Sequence, residues 1–332
     1  MKVWMASARH YDIESFVRAL QAGSDHVFVY SRERLTPETA VLAEGCDAVC
    51  SFVNDDLCDA TLEQLAQFGV RVIALRCAGA DSVDLEAARR LGLRVVNVPS
   101  YAPESVAEFA LALLLCLGRR LHRSYNRVRE NNFDLSGLVG LQLHGTTAGV
   151  VGTGRIGAAT ALLLRAFGMK VMASDPAQQD PRLSDVGIQY VGLEELLANS
   201  QVVSLHCPLL PATHHLINAE RLAMMPRGAL LVNTSRGGLL DTKAVIAALK
   251  AGQLGGLALD VYEQEGGLFF ADHSDEVIGD DTFERLLTFP NVLVSAHQAF
   301  LTDAALGAIA TTTLSNLDQV AAGLPCGNDL LR

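Results

Sequence analysis

Along the first hundred residues, short runs of apolar and β-branched residues alternate with stretches whose apolar positions recur every three or four residues. Runs of the first kind predict strands, and stretches of the second kind predict amphipathic helices. Regular alternation of the two predicts a parallel sheet with helices on its faces. The predicted strands cover 2–6, 26–30, 48–53, 70–75 and 94–98, and the predicted helices cover 12–21, 37–44, 61–68 and 82–91.

The pattern breaks between Pro99 and Pro103 and then resumes. A mostly apolar helix is predicted over 104–121, followed by a polar, irregular stretch over 123–142. A helix with so many apolar residues is expected to be buried between domains or subunits. A second α/β unit then follows, with strands at 146–151, 170–175, 201–206, 229–234, 256–261 and 291–296, an acidic loop over 263–281 and a final helix over 302–322.

The first strand of the second unit leads into Gly152-x-Gly154-x-x-Gly157 and on into a helical pattern. In a dinucleotide-binding unit the first glycine permits a tight turn, the second lets a pyrophosphate approach, and the third lets the helix pack on the strand. Asp175 ends the next strand, where a carboxylate binds ribose hydroxyls and repels a 2′-phosphate. The spacing predicts an NAD site with NAD preferred over NADP; a unit of this kind without a nucleotide is the alternative.

Ligands of open α/β sheets bind outside the carboxyl ends of the strands, and three residues near those ends could support a reaction. Arg236 could bind a carboxylate with both nitrogens and polarise a neighbouring carbonyl. His297 could exchange a proton with a hydroxyl or ketone, and the carboxylate of Glu265 could pair with it. A guanidinium, an acid and a nicotinamide are what reduction of a 2-keto acid requires. From residue type alone, a solvated arginine, a structural histidine and a solubilising glutamate stay open as alternatives.

Composition narrows the possible partners. The net charge of −11 argues against nucleic acid, because binding phosphates requires clustered Lys and Arg. The N-terminus lacks the apolar core of a signal peptide, and the longest apolar helical run, 109–117, is too short to span a bilayer. The seven cysteines are scattered and form no Cys-x-x-Cys, as expected of reduced thiols. We therefore expect a cytoplasmic protein with a small-molecule substrate, no membrane partner and no metal.

Several motifs together closely resemble those of the D-isomer-specific 2-hydroxyacid dehydrogenases. The motifs are Gly152-x-Gly154-x-x-Gly157, His206-Cys207-Pro208, Asn233-Thr234-Ser235-Arg236-Gly237, Asp260-Val261-Tyr262-Glu263-x-Glu265 and His297-Gln298-Ala299-Phe300. Within that family the chain is most similar to the fermentative D-lactate dehydrogenases. This closer similarity depends on Tyr101 in Pro-Ser-Tyr-Ala-Pro-Glu-Ser, on the 268–270 insertion and on the sequence after His297.

The resemblance implies a fold and an activity. It implies two doubly wound parallel-sheet α/β domains: a Rossmann NAD-binding domain, 101–298, inserted in a flavodoxin-like substrate domain, 1–100 plus 299–332, with the active site in the cleft between them. It also implies reduction of pyruvate to D-lactate with NADH, and a homodimer or homotetramer. Two alternatives stay open: a dehydrogenase for bulkier 2-keto acids such as phenylpyruvate, and an NAD-sensing, corepressor-like regulatory protein.

The resemblance further assigns roles to single residues. Arg236 would bind and polarise the substrate, His297 would be the acid and base, and Glu265 would tune it. The other expected substrate contacts are Ala78, Gly79, Tyr101 and Phe300. The expected cofactor contacts are Gly152, Gly154, Arg155, Ile156, Gly157, Asp175, His206, Cys207, Pro208, Thr213, Thr234, Ser235, Arg236 and Asp260. Thr213 stands where related enzymes often carry asparagine.

Overall fold

The computed structural model describes residues 1–177 and 179–332. The chain divides into two compact units, one formed by Met1–Ala102 with Leu301–Arg332, and one formed by Pro103–Phe300. Each unit is built on a parallel sheet with helices, as the alternation of apolar patterns predicts.

The first unit contains a five-stranded sheet in the order β2-β1-β3-β4-β5. This strand order is that of flavodoxin-like doubly wound sheets. All five strands predicted for this part of the chain are present, whereas the helix predicted over 37–44 is only a short 3-10 helix, Ala40–Ala43. The elements are β1 (Lys2–Met5), α1 (His10–Leu20), β2 (Val27–Tyr30), β3 (Ala48–Ser51), α2 (Asp59–Gln67), β4 (Val72–Leu75), α3 (Leu85–Arg90) and β5 (Arg94–Val96).

The C-terminal helix, Asp303–Ala321, belongs to this first unit, where it packs against α1 and β4. The side-chain amide of Asn316 donates to the backbone oxygen of Asn97 at 2.8 Å. Beyond the helix, the backbone N–H of Leu330 donates to the oxygen of Val95 at 2.8 Å. The end of the chain therefore covers the edge of the sheet at β5.

The second unit contains a seven-stranded sheet in the order β12-β11-β10-β9-β6-β7-β8. Six of these strands follow the order of a Rossmann sheet, with β6 at the centre and β12 added at one edge. The short edge strand β8 is absent from the sequence-based prediction. The elements are α4 (Pro103–Gly118), α5 (Leu121–Arg129), β6 (Thr147–Val151), α6 (Arg155–Ala166), β7 (Lys170–Ser174), α7 (Pro181–Asp185), β8 (Gln189–Tyr190), α8 (Leu193–Asn199), β9 (Val202–Leu205), α9 (Ala219–Met224), β10 (Ala229–Asn233), α10 (Thr242–Lys250), β11 (Leu254–Leu259), α11 (Asp281–Leu287) and β12 (Val292–Val294).

The helix predicted over 104–121 is present as α4 but ends three residues earlier, at Gly118, and α5 occupies part of the stretch predicted to be irregular. Arg120 has a left-handed backbone with φ of 53°, which ends the α4 direction. The backbone N–H of Leu141 donates to the oxygen of Gly118 at 2.8 Å, so the returning chain satisfies a carbonyl at the end of α4. The apolar side chains of α4 pack on α6, β10 and β11 within the second unit.

The helices are short compared with a bilayer. The C-terminal helix has 19 residues and α4 has 16, whereas a membrane span needs about 20 predominantly apolar residues. Across residues 1–177 and 179–332, no helix is both long enough and apolar enough to cross a membrane.

Candidate active site

Two glycines allow close packing where β6 turns into α6. Gly152 has φ of 88°, and a Cβ there would lie 2.6 Å from the backbone nitrogen of Cys207. A Cβ on Gly157 would lie 1.9 Å from the oxygen of Gly152. Both glycines are therefore required by the packing of the strand, the helix and the segment that follows β9, as the fingerprint predicts.

Gly154 is different, because packing does not require a glycine at this position. It lies at the N-cap of α6, and a Cβ there would meet no heavy atom within 4 Å among the described residues. The first N–H groups of α6, including those of Arg155 and Ile156, have no acceptor within the helix. A helix N-terminus with exposed N–H groups favours an anion. This turn therefore fits a pyrophosphate.

Asp175 follows β7 and is held against the glycine turn. Its carboxylate accepts hydrogen bonds from the backbone N–H of Thr153 at 2.7 Å and of Ala177 at 2.9 Å. The hydroxyl of Tyr190 donates to the hydroxyl of Thr153 at 3.0 Å, which links β8 to the same turn. The structure thus places a carboxylate beside the turn, where it fits a ribose and opposes a 2′-phosphate.

The two residues that directly follow β9 are uncharged near neutral pH. Burial lowers the pKa of His206 to about 4, and its Nε2 lies 2.8 Å from the hydroxyl of Ser204. Burial raises the pKa of the Cys207 thiol to about 11. The hydroxyl of Thr213 donates to the oxygen of Pro208 at 2.6 Å, so it stabilises the loop that these residues begin. These side chains can form a neutral wall for a cofactor.

The segment after β10 is tied to that wall. The hydroxyl of Ser235 donates to the oxygen of Cys207 at 2.6 Å, and the side-chain amide of Asn233 donates to the oxygen of Arg236 at 2.8 Å. The hydroxyl of Thr234 is buried and has no hydrogen-bond partner in the described part of the chain. Buried polar groups are generally paired, so a polar group of a cofactor is the partner that this hydroxyl would suit.

Arg236 lies at a close approach between two loops. Its Nη1 donates to the oxygen of Ser235 at 2.9 Å. A Cβ on the next residue, Gly237, would lie 2.0 Å from the carbonyl carbon of Tyr262. The absence of a side chain at Gly237 therefore lets the arginine turn pack directly against the segment that leads to Glu265.

Glu265 and His297 form the pair that the sequence suggests. The Nδ1 of His297 lies 2.6 Å from Oε1 of Glu265, and the backbone N–H of Tyr262 donates to Oε2 of the same carboxylate at 2.9 Å. The ring of Phe270 lies 5.6 Å from the imidazole, centroid to centroid. With Nδ1 on the carboxylate, Nε2 is the ring nitrogen available for proton exchange with a substrate.

The backbone that carries His297 is strained and is held by Asp260. Ala296 and His297 both have left-handed φ angles, 54° and 56°. Asp260 is fully buried, and its Oδ1 accepts from the hydroxyl of Ser295 at 2.7 Å. Its carboxylate also accepts from the backbone N–H groups of 298–299 at 2.8 and 2.9 Å. The sequence suggests Asp260 as a cofactor contact, and the structure adds that it positions the histidine.

The other residues suggested as substrate contacts are divided between the two units. Ala78, Gly79 and Tyr101 belong to the first unit, and Phe300 is the last residue of the second. The oxygen of Ala78 accepts from the side chain of Asn97 at 2.8 Å, while the backbone N–H groups of Ala78 and Gly79 donate to no acceptor within residues 1–177 and 179–332. Backbone N–H groups without an internal acceptor suit a carboxylate, and the roles of these residues stay predictions.

Ser295 and Tyr190 contribute to the site but are not singled out by the sequence. Ser295 lies inside a predicted strand, where a serine carries no signal that distinguishes it from other strand residues. Tyr190 lies in the edge strand that the sequence pattern does not reveal. Both act through a partner that is distant in sequence, and only the fold shows that partner.

Known proteins match the chain along its whole length. The family model of the D-isomer specific 2-hydroxyacid dehydrogenase NAD binding domain matches residues 111–299. The chain is 53% identical over 334 residues to 2-hydroxyacid dehydrogenase A of Aspergillus oryzae, a match that covers 100% of this chain and 96% of that protein. It is 47% identical over 331 residues to D-lactate dehydrogenase of Escherichia coli, covering 100% of both.

Solved structures agree with these matches. The apo-structure of D-lactate dehydrogenase from Escherichia coli has a TM-score of 0.90 at 45% identity and covers 99% of this chain and 100% of that chain. D-lactate dehydrogenase from Aquifex aeolicus, solved in complex with NAD and lactic acid, has a TM-score of 0.87 at 33% identity, with 99% of each chain covered. The turn at Gly154, the carboxylate of Asp175 and the buried hydroxyl of Thr234 fit the NAD that this domain binds. The chain therefore belongs to the D-isomer-specific 2-hydroxyacid dehydrogenase family, with NAD as its cofactor.

Proposed function

We propose that the protein is an NAD-dependent D-lactate dehydrogenase that reduces pyruvate to D-lactate. The observation that carries the proposal is the hydrogen-bonded pair of His297 and Glu265, in which Nδ1 lies 2.6 Å from Oε1. The Arg236 turn packs against the segment that leads to Glu265. Relatives that share about half of the sequence over the full chain carry this activity in their names.

In this mechanism each residue has a separate task. Arg236 binds the carboxylate of the 2-keto acid and draws electron density from the neighbouring carbonyl. His297 gives a proton from Nε2 to the carbonyl oxygen, while Glu265 at Nδ1 fixes the ring and stabilises its positive charge before transfer. When bound, NADH supplies the hydride that reduces the carbonyl carbon. In the reverse direction His297 accepts the hydroxyl proton of D-lactate.

The cofactor would be held at the carboxyl ends of the strands of the seven-stranded sheet. The pyrophosphate would meet the turn at Gly154 and the N–H groups of Arg155 and Ile156, and the ribose would meet Asp175. The uncharged side chains after β9 and the hydroxyl of Thr234 would line the nicotinamide part. The residues assigned to the nicotinamide side are Cys207, Thr234 and Asp260, and His206, Pro208, Thr213 and Ser235 are further cofactor contacts.

We further propose that the chain forms a homodimer or homotetramer and is cytoplasmic. Six large apolar side chains are between 51% and 86% exposed: Leu121, Tyr125, Val128, Phe133, Leu135 and Val139. Several exposed apolar side chains within one short stretch of chain, here 121–139, are typical of a protein interface. All seven cysteines are free thiols, which is typical of a reducing compartment. Light scattering after size-exclusion chromatography tests the oligomer: a monomeric mass at micromolar concentration would contradict it.

A panel of 2-keto acids tests the activity. NADH oxidation would be followed with pyruvate, phenylpyruvate and an intermediate aliphatic 2-keto acid, and the chirality of the product would be determined. We expect the highest kcat/KM with pyruvate, and D-lactate as the product. A higher kcat/KM with phenylpyruvate would favour the dehydrogenase for bulkier substrates. Tight NADH binding without turnover on any member of the panel would favour a regulatory protein.

A further inference from the structure

A second group of titratable side chains is distinct from the proposed catalytic pair. His214, His215 and Glu263 each offer a donor atom, and these atoms lie within 4.8 Å of one another. The two imidazole rings are stacked, with centroids 3.9 Å apart and an angle of 26° between their planes. The Nε2 of His215 lies 2.6 Å from Oε1 of Glu263, although 48 positions separate the two residues.

The backbone explains why two consecutive histidines turn to the same side. In helices and strands, neighbouring side chains point in different directions. His215 instead has a left-handed φ of 50°, and its N–H donates to the oxygen of Gly238 at 2.8 Å. This bond fixes the turn, so the two rings lie face to face beside Glu263.

The three donors are accessible, and Glu263 is already oriented, whereas the imidazole of His214 must rotate out of the stack for one ion to lie in both ring planes. His214 is exposed, and the side chains of His215 and Glu263 are 36% and 26% exposed. The hydroxyl of Thr242 donates to Oε2 of Glu263 at 2.8 Å, the kind of outer hydrogen bond that orients a carboxylate ligand.

We propose that His214, His215 and Glu263 form a binding site for a first-row transition-metal ion, with Zn²⁺ as its representative. Two imidazoles and one carboxylate are a donor set that zinc accepts with water in the fourth position. Nitrogen-rich sets favour such ions over Mg²⁺ and Ca²⁺, which prefer oxygen ligands. With bonds of about 2.0–2.2 Å, the ion would replace the His215–Glu263 hydrogen bond and move those atoms to about 3.3 Å apart.

Such an ion would join two segments, of which the second also carries Glu265. His214 and His215 follow the loop that begins at Pro208, and His215 is hydrogen-bonded to Gly238 in the turn after Arg236. Glu263 precedes Glu265 by two positions. The ion would therefore stabilise the loops around the reaction site without contacting His297.

Zinc titration of the full-length protein tests the site without using catalytic activity. Chelator-treated wild type would be titrated with ZnCl₂ by calorimetry, together with His214→Asn, Glu263→Gln and the control His10→Asn. The control removes an exposed histidine from a histidine–glutamate pair elsewhere, where Nδ1 of His10 lies 3.5 Å from Glu14. His214 is exposed, so its variant is expected to fold.

We expect one Zn²⁺ to bind per chain of wild type and His10→Asn, and affinity to fall at least about tenfold in His214→Asn and Glu263→Gln. Zinc should raise the Tm of wild type and His10→Asn but not that of His214→Asn. Binding should weaken as the pH falls, because the ligands must be deprotonated. Equal affinity in wild type and His214→Asn would overturn the proposal by placing the ion elsewhere, for example on cysteines or on His297. Absence of binding by wild type up to about millimolar zinc would overturn it as well.

Discussion

Replacing Asp260 by Asn tests whether a buried carboxylate fixes the geometry of His297. Asp260 is fully buried and accepts three hydrogen bonds from the turn that carries the histidine. Asparagine has the same shape but only one acceptor oxygen. If that oxygen keeps the bonds from Ser295 and Gln298, the amide nitrogen must face the backbone N–H of Ala299, and two donors then oppose each other.

The free energy lost in Asp260→Asn is expected to be about as large as the backbone strain at Ala296 and His297. Losing one charge-assisted hydrogen bond costs about 1.5–3 kcal/mol, and leaving a buried N–H unpaired adds about 1–3 kcal/mol. Holding Ala296 and His297 in the left-handed region costs about 1–2 kcal/mol for each residue. Because the two sums are similar, we expect the turn to relax and His297 to move. A displacement of about 1 Å at a catalytic group lowers the rate on the order of 10²-fold.

The assay compares kcat/KM for pyruvate with the dissociation constant for NADH measured by fluorescence. We expect Asp260→Asn to lower kcat/KM about 10²-fold while NADH binds almost as tightly as to wild type. Ser295→Ala removes one of the three bonds and keeps the charge, so a loss of about tenfold is expected. Thermal unfolding verifies that both variants are folded. A kcat/KM for Asp260→Asn close to that of wild type would refute the reasoning, and weakened NADH binding with unchanged kcat would show that Asp260 acts mainly as a cofactor ligand.

Three further predictions concern residues with separate tasks. Arg236→Gln should raise the KM for pyruvate and lower kcat, with a loss on the order of 10²–10³ in kcat/KM; near-normal kinetics would contradict the assigned role. Gly154→Ala should weaken NADH binding without changing the Tm, because its Cβ meets no atom of the described chain within 4 Å. Gly157→Ala should instead lower the Tm, because its Cβ would lie 1.9 Å from the oxygen of Gly152. Overpacking of this kind costs about 1–3 kcal/mol. The pKa of His206 is lowered from 6.5 to about 4 in the folded protein, so between these pH values the unfolded chain binds a proton that the folded chain does not. The stability contributed by a neutral His206 is complete above pH 6.5 and falls as the pH drops towards 4, by at most about 1.4 kcal/mol per pH unit. Urea unfolding at pH 7 and pH 5 should therefore show a smaller loss of stability for His206→Gln than for wild type.

The sequence predicts those parts of the fold that depend on local pattern. The strand runs predict both sheets because a buried parallel strand is apolar along its whole length. The glycine spacing predicts the turn before α6 because glycine meets a local requirement at Gly152 and Gly157. The edge strand β8 has only two residues, too few for a periodic signal. The end of α4 at Gly118, three residues before the predicted end, could not be found from local sequence alone, since the carbonyl of Gly118 is bonded by the distant residue Leu141.

The candidate site shows the same limit more clearly, because three of its carboxylates stand close together in one acidic segment. From sequence, Glu265 in an acidic stretch is most simply a solubilising residue. In the structure each carboxylate has its own partner: Asp260 holds the turn at 295–299, Glu263 binds His215, and Glu265 binds His297. This separation is possible because β11 lies between β12 on one side and β10 and β9 on the other, so the segment after β11 lies between the loop with His297 and the loop after β9 with His215. The order of strands in the sheet, which no local pattern contains, therefore decides which of these carboxylates lies beside the histidine.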